Sequence, residues 1–457
     1  MGEETGTDRR GGAVTCGIIG CLVVPLAVVG VVAAVGVRSG EYVSSPEVDG
    51  RVVWRSEAPE DGTEPSDLVG SWVMDGLIVR VDVNGLFGYA ADDGAVRWSM
   101  PTEDGLCAMS EETSEGVGVV MVRSDASYSA SEGPAHGTDR PCDTAVGVDL
   151  RNGERLWTRR HLLGEGVTEK EPMESHPAVA GSSVVVAVVG ELVALDLHSG
   201  RTRWERGGFE VEGTGARRCP VGDVRARDGE TVVAVADCGI GTGPLGVRLI
   251  DAEEGRETGA FRVERPETRQ EAGQYSTVLA TDPIVLGVMT DLSDVEIAGF
   301  DDDGTRRFVV DGANLRPDSV RGTTFSDNRP DTLVENGLLW VVENSGDCTS
   351  TVFGYDLRSG EKEREVEGSP AGQVRVVAVE DDRLILMARG KEAICFSTRA
   401  PQLYTAPVSG GELEPLSPPL EEPDIGPAVE DAALIWRDHR IHVLPSNAYG
   451  PGAVAIG

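Results

Sequence analysis

The chain has 457 residues, 77 acidic against 41 basic side chains, a formal net charge of −36 and eight cysteines. So acidic a balance excludes a nucleic-acid binder, because phosphate contacts need clustered Lys and Arg, and it disfavours close adhesion to anionic lipid. Acidic loops of this kind keep an exported domain soluble and can bind divalent ions nonspecifically.

Residues 13–37 form a run without charge, preceded by Arg9 and Arg10 and followed by Arg38 ahead of Glu41, Glu47 and Asp49. About 20 apolar residues span a bilayer, and the positive-inside rule puts the N-terminus in the cytoplasm. The expectation is a cytoplasmic segment at 1–12, a transmembrane helix at 13–37, a short linker at 38–49 and an ectodomain at 50–457, giving a single-pass protein of the cell membrane. Two processing alternatives stay open: lipidation at Cys21 in Ile18-Ile19-Gly20-Cys21, and cleavage after the small residues Ala33 and Ala34.

From residue 50 a short phrase recurs: a hydrophobic strand, an Asp, three residues, a Gly, three residues and an aromatic. Its clearest copies run from Asp149 through Gly153 to Trp157 and from Asp196 through Gly200 to Trp204. Asp251 to Gly255 and Asp356 to Gly360 are partial copies; Gly50 with Trp54, Gly94 with Trp98 and Gly304 with Phe308 keep the second half, and Gly410 is a weaker member. The Asp accepts hydrogen bonds from the turn it opens, the Gly takes the positive φ that closes it, and the Trp offers a flat surface to its own blade and the next. The best-defined unit reads as strands at 177–180, 184–189, 192–197 and 202–205, and Asn84-Gly85 marks a hairpin between 78–81 and 86–89.

A strand-built period near fifty residues is the signature of a β-propeller. Seven units carry a turn; an eighth combines C-terminal strands at 433–436 and 440–444 with 51–55 as its outer member, which removes exposed sheet edges. The expectation is an all-β protein of eight four-stranded antiparallel blades, with seven as the alternative count.

Val193-Ala194-Leu195-Asp196-Leu197-His198-Ser199-Gly200-Arg201-Thr202-Arg203-Trp204 resembles the pyrroloquinoline quinone (PQQ) propeller repeat, Ala-x-Asp-x-x-Thr-Gly-x-x-x-Trp, and the resemblance covers roughly residues 50 to 450. That family includes quinone-dependent alcohol and glucose dehydrogenases and also propellers without cofactor, such as the scaffold lipoprotein of the outer-membrane assembly machine. The resemblance implies that quinone catalysis needs an adjacent Cys-Cys pair, acidic and amide Ca²⁺ ligands and an Asp base. No two cysteines are adjacent here and no Cys-x-x-Cys-His haem site occurs. No catalytic, cofactor-binding or metal-binding residue is assigned, and no cofactor is expected.

Six cysteines lie beyond the apolar run, and the strand map pairs Cys107 with Cys142, Cys219 with Cys238 and Cys348 with Cys395 as disulfides of an oxidising compartment. Followed along the strands, all six fall on one face of the ring, together with the long connections 124–143, 205–218, 264–275 and 312–330. The tight repeat turns fall on the opposite face. Long loops on a rigid scaffold are where binding resides. The chain is therefore read as a non-enzymatic, extracytoplasmic binding scaffold for a protein or cell-envelope partner, the alternative being a quinone-dependent oxidoreductase with an unusual site. Gly241-Thr242-Gly243-Pro244-Leu245-Gly246 imitates a dinucleotide-binding pattern, but a second strand rather than a helix is expected after it. His439 and His442 are expected at strand spacing on opposite faces.

Overall fold

The computed structural model describes residues 48–56, 67–102, 105–123, 142–160, 162, 177–188, 190–211, 218–237, 243–264, 276–289, 295–310, 332–344, 349–367, 374–388, 400–420, 432–445 and 452–457. The expected transmembrane helix at 13–37 lies outside them. Among the described residues every regular element is a strand, and no helix is long and apolar enough to cross a membrane.

The strands form an eight-bladed propeller of four-stranded antiparallel blades. Blade 1 has strands A to D at Leu68–Met74, Leu77–Asp82, Gly85–Ala90 and Val96–Pro101; blade 2 at Leu106–Met109, Val117–Arg123, Cys142–Asp149 and Glu154–Arg159; blade 3 at Ala178–Ala180, Ser183–Val188, Glu191–Asp196 and Thr202–Arg206; blade 4 at Val221–Ala226, Thr231–Asp237, Leu245–Asp251 and Glu257–Val263. Blade 5 has Ser276–Thr281, Ile284–Met289, Val295–Phe300 and Arg306–Val310; blade 6 has Thr332–Glu335, Leu338–Asn344, Ser350–Asp356 and Lys362–Glu367; blade 7 has Val374–Glu380, Arg383–Ala388, Gln402–Pro407 and Glu414–Pro415. Blade 8 joins Ala432–Arg437, Arg440–Pro445 and Val454–Ile456 to Val52–Arg55, in that order from the axis outward. A strands of successive blades touch one another, as Ala178–Ala180 does Val221–Ala226, which places them at the centre.

The apolar core is divided among the seams between blades. In strand B of blade 3, Val184, Val186 and Val188 pack toward blade 2, while Val185 and Ala187 pack toward blade 4. Strand C repeats the division, with Val193 and Leu195 on one side and Leu192 and Ala194 on the other. Alternate side chains of a strand point to opposite faces, so a continuous apolar run supplies two seams at once, and near-continuous hydrophobic B and C strands result.

The repeat phrase stitches these seams. Turn glycines 50, 94, 153, 200, 255, 304, 360 and 410 all have positive φ, and an aromatic from the preceding blade covers most of them. Trp54 lies over Gly94, Trp98 over Gly153, Trp157 over Gly200, Trp204 over Gly255, Phe261 over Gly304 and Phe308 over Gly360. Each indole also donates to a carbonyl in the next blade: Trp54 to Ala91 at 3.1 Å, Trp98 to Leu150 at 3.1 Å, Trp157 to Leu197 at 2.6 Å and Trp204 to Ala252 at 3.0 Å. The phrase breaks after blade 6. Arg364 takes the aromatic's place opposite Gly354, and Gly411–Glu412 pairs in parallel with Val366–Glu367, bridging blades 6 and 7 by backbone hydrogen bonds instead.

Blade 8 differs from the expectation in one strand: Val454–Ile456 stands between Arg440–Pro445 and Val52–Arg55, with Val52 opposite Ile456 and Trp54 opposite Ala455. The closure continues past the ladder, where Arg51 and Gly457 exchange backbone hydrogen bonds of 3.2 and 3.0 Å. In blade 1 the B–C hairpin turns at Val83-Asn84, one residue before the position expected, and Gly85 is already paired with Asp82. His439 is not in a strand: it sits in the A–B turn of blade 8 with φ 57°.

Candidate binding site

The two rims of the ring are built differently. On the rim of the A–B and C–D turns, each repeat Asp caps its own turn. Asp149 accepts from Arg151 N at 3.0 Å, Asp196 from Ser199 N at 2.9 Å and Oγ at 2.6 Å, Asp251 from Glu254 N at 2.8 Å and Asp356 from Ser359 N at 2.7 Å. The Ser199 hydroxyl, then the Arg203 guanidinium, hold the Asp196 carboxyl down to about 2. Polar contacts then cross from blade to blade along this rim: a hydrogen bond between Glu115 and His198 at 3.1 Å, and ion pairs of Arg203 with Glu253 at 3.1 Å and Arg227 with Asp302 at 2.8 Å. Near the axis Arg225 pairs with Glu111 of blade 2, and Asp223 accepts from Val278 N of blade 5 at 2.9 Å. Burial, reinforced by Glu111, pushes the neighbouring Glu112 carboxyl up to about 7.

The opposite rim carries the B–C and D–A connections. Cys107, in strand A of blade 2, is disulfide-bonded to Cys142 at the start of strand C, with Cα atoms 6.1 Å apart and a separation of 35 positions in sequence. Cys219 is also disulfide-bonded. Cys238, Cys348 and Cys395, and most of the long connections at 124–143, 264–275 and 312–330, lie outside the described residues. At the same rim the closing seam buries an ion pair: Arg80 Nε is 2.6 Å from Asp82 Oδ1, both side chains are fully buried, and Arg80 Nη1 donates to Gly452 O of blade 8 at 2.9 Å. Burial pushes the nearby Tyr89 hydroxyl up to about 12. His442 is buried against Trp54 with ring centroids 5.6 Å apart, and burial together with Arg440 and Arg437 lowers its imidazole to about 4.

The described ends of the fourth long connection, Arg206–Glu210 and Arg218, line a cleft of about 420 Å³ on the seam of blades 3 and 4. Phe209–Glu210 and Arg218–Cys219 pair as a short antiparallel ribbon above the cleft. Arg206 comes from the end of strand D of blade 3, Arg218 from the ribbon, and Arg248 and Glu257 from blade 4. Arg248 is committed: it pairs with Glu257 at 3.3 Å, donates to Glu210 O at 2.7 Å and lies 5.4 Å from the Phe209 ring centre. The Arg218 guanidinium lies against Gly207, where a Cβ would come within 2.5 Å of it. Arg206 Nη1 is buried without a hydrogen bond. Among the described residues no three His, Cys, Asp or Glu side chains converge as a metal site.

Of the residues singled out from sequence, the repeat Asp, Gly and Trp side chains gather on the turn rim and seams, and Cys107 with Cys142 stands on the loop rim. Sequence reasoning passed over Arg206, Arg218 and Arg248, which share no motif and meet only because blades 3 and 4 abut. The one local signal was Gly207-Gly208 directly after a D strand, a mark of close backbone approach.

Residues 143–400 match the family model described as outer membrane protein assembly factor BamB. Among solved structures the chain is similar to BamB from Moraxella catarrhalis, at 15% identity and a TM-score of 0.46, over 86% of this chain and 96% of that one. It is also similar to the quinohemoprotein alcohol dehydrogenase ADHIIG from Pseudomonas putida HK5, at 11% identity and a TM-score of 0.52, over 90% of this chain and 76% of that one. At such identity the second likeness speaks for the fold alone. No curated protein sequence matches the chain.

Proposed function

The chain belongs to the family of the outer membrane protein assembly factor BamB, and from that membership we propose that it is a non-enzymatic binding scaffold, anchored in the cell membrane by residues 13–37 with the propeller outside. Its partner is a protein or a component of the cell envelope, engaged through the rim of the long connections.

The observation that carries this reading is the asymmetry of the rims. The turn rim is spent on itself: its carboxylates cap turns and its arginines tie neighbouring blades. The other rim carries a disulfide that ties strand A of blade 2 to the start of strand C and a cleft with an unpaired guanidinium nitrogen, and the strand directions lead the long connections expected at 124–143 and 312–330 to the same side. Rigid scaffolds place binding groups on such loops, and the family description, an assembly factor, fits a role in holding other proteins.

Crosslinking of the full-length protein in its own membrane, followed by capture, tests the proposal. A partner should be recovered, and surface substitutions within 124–143 and 312–330 should release it. Release by turn-rim substitutions alone overturns the choice of face. Tight binding of PQQ with Ca²⁺, accompanied by dye reduction, overturns the non-enzymatic reading.

A further inference from the structure

We propose that the cleft between blades 3 and 4 is a carboxylate-binding site, in which Arg206 and Arg218 receive an acidic group of a peptide segment of the partner. The inference rests on the scaffold reading above and adds the chemistry of one contact to it.

The charge count inside the cleft is the first argument. Arg206, Arg218 and Arg248 line the cleft with Glu210 and Glu257, and Glu191 Oε1 lies at its edge beside Gly207. Arg248 and Glu257 neutralise each other at 3.3 Å. Among the described residues neither Arg206 nor Arg218 has a carboxylate partner, although the chain carries 77 acidic side chains against 41 basic ones. Two guanidinium groups without a bound carboxylate are a local exception in so acidic a protein, and they attract a small anion that the rest of the surface repels.

Geometry supplies the second argument. Arg206 Nη1 is buried with no hydrogen bond, and a buried unpaired donor is destabilising until it is satisfied. The walls that present it are fixed. Arg248 stands against Phe209 and holds the Glu210 carbonyl at 2.7 Å, while Cys219 is disulfide-bonded directly beside Arg218. Gly207 leaves the room that the Arg218 guanidinium fills, and a Cβ on Gly208 would come within 2.5 Å of Cys219 O. Planar, pre-oriented guanidinium forks are suited to bidentate recognition of a carboxylate. A polyanion such as nucleic acid is the wrong occupant, because two neighbouring guanidinium groups suit a single carboxylate and the acidic surroundings oppose further negative charge.

Two sources share this chemistry, an internal Asp or Glu and a C-terminal carboxylate, and labelled peptides separate them. Full-length protein in detergent is titrated with a peptide carrying Asp-Glu and an amidated C-terminus, with its Asn-Gln counterpart, and with a neutral peptide ending in a free carboxylate. Either carboxylate peptide should bind at least roughly tenfold more tightly than the Asn-Gln one, and Arg206→Gln or Arg218→Gln should each remove roughly that factor, as loss of a charge-assisted hydrogen bond does. Arg155→Gln, on an exposed outer strand, should change nothing. Arg218 is itself exposed, so its substitution tests the cleft even where Arg206→Gln lowers folding yield. Equal binding of all three peptides, indifference to both cleft substitutions, or displacement by duplex oligonucleotide at lower concentration than by acetate overturns the inference. If the peptides fail while the captured partner still leaves on loop-rim substitution, only the cleft assignment falls and the scaffold reading stands.

Discussion

Trp157, on the outer strand of blade 2, donates its indole N–H to the Leu197 carbonyl of blade 3 at 2.6 Å while its ring covers Gly200, whose φ is +64°. One side chain thus makes a polar and an apolar contact across a seam that backbone hydrogen bonds do not cross.

Trp157→Phe should destabilise the protein by about 1–3 kcal/mol, because it leaves a buried carbonyl unpaired. Trp157→Ala should cost about 3–5 kcal/mol, since a cavity is added. Gly200→Ala meets both an unfavourable φ and the ring, for a Cβ there would lie 2.6 Å from Trp157 Cδ2. In the Trp157→Ala background the steric part of that cost should vanish. A double-mutant cycle from urea unfolding measures the coupling, and strict additivity would show that the ring and the glycine act independently.

His442 makes the closing seam sensitive to acid. Its imidazole titrates near 4 when folded against 6.5 for the free side chain, so between these values the unfolded chain binds more protons. Stability is full above about pH 6.5 and falls as pH drops toward 4, by at most about 3 kcal/mol. Glu112, raised from 4.5 to about 7, acts in the opposite sense, its penalty growing as pH rises from 4.5 to 7. The His442 slope should therefore be read by thermal unfolding in Glu112→Gln, and His442→Leu should flatten it.

Removing one partner of the buried Arg80–Asp82 pair unbalances a buried charge. Asp82→Ala should cost about 3–5 kcal/mol, and the double replacement Arg80→Met with Asp82→Leu should recover much of that. Denaturant midpoints of the three proteins decide it; equal loss in the single and double variants would refute the account.

Reducing the Cys107–Cys142 bond frees a loop of 35 residues, which in the chain-entropy treatment is worth about 4 kcal/mol. Cys107→Ser with Cys142→Ser should lower the melting temperature and quicken proteolysis of blade 2 before the other blades.

The repeat phrase made the blades legible because Asp, Gly and Trp each hold a fixed place in a turn or seam, and the closing strand near Trp54 followed from the same phrase. Phe261 escaped it. It covers Gly304 from two positions beyond the place where Trp157 and Trp204 stand, a slip along strand D that one-dimensional spacing does not register. Val454–Ile456 escaped too, being three apolar residues behind Gly450-Pro451-Gly452, a stretch that reads as a tail until Val52 and Ile441 are found on either side of Ile456. The cleft arginines were the least legible, since Arg206 and Arg248 stand on different blades and their shared surface exists only once both blades have docked.

The pairing of Val52 with Ile456 has a kinetic meaning. A contact between the two ends of the propeller has the greatest sequence separation the fold contains, and ordering the intervening chain must precede its reward. Blades 1 to 7 are each built from strands close in sequence, whereas blade 8 joins Val52–Arg55 to strands of residues 432–456. Closure is therefore expected late in folding, and an unclosed ring would leave the first and seventh blades with unpaired apolar surface.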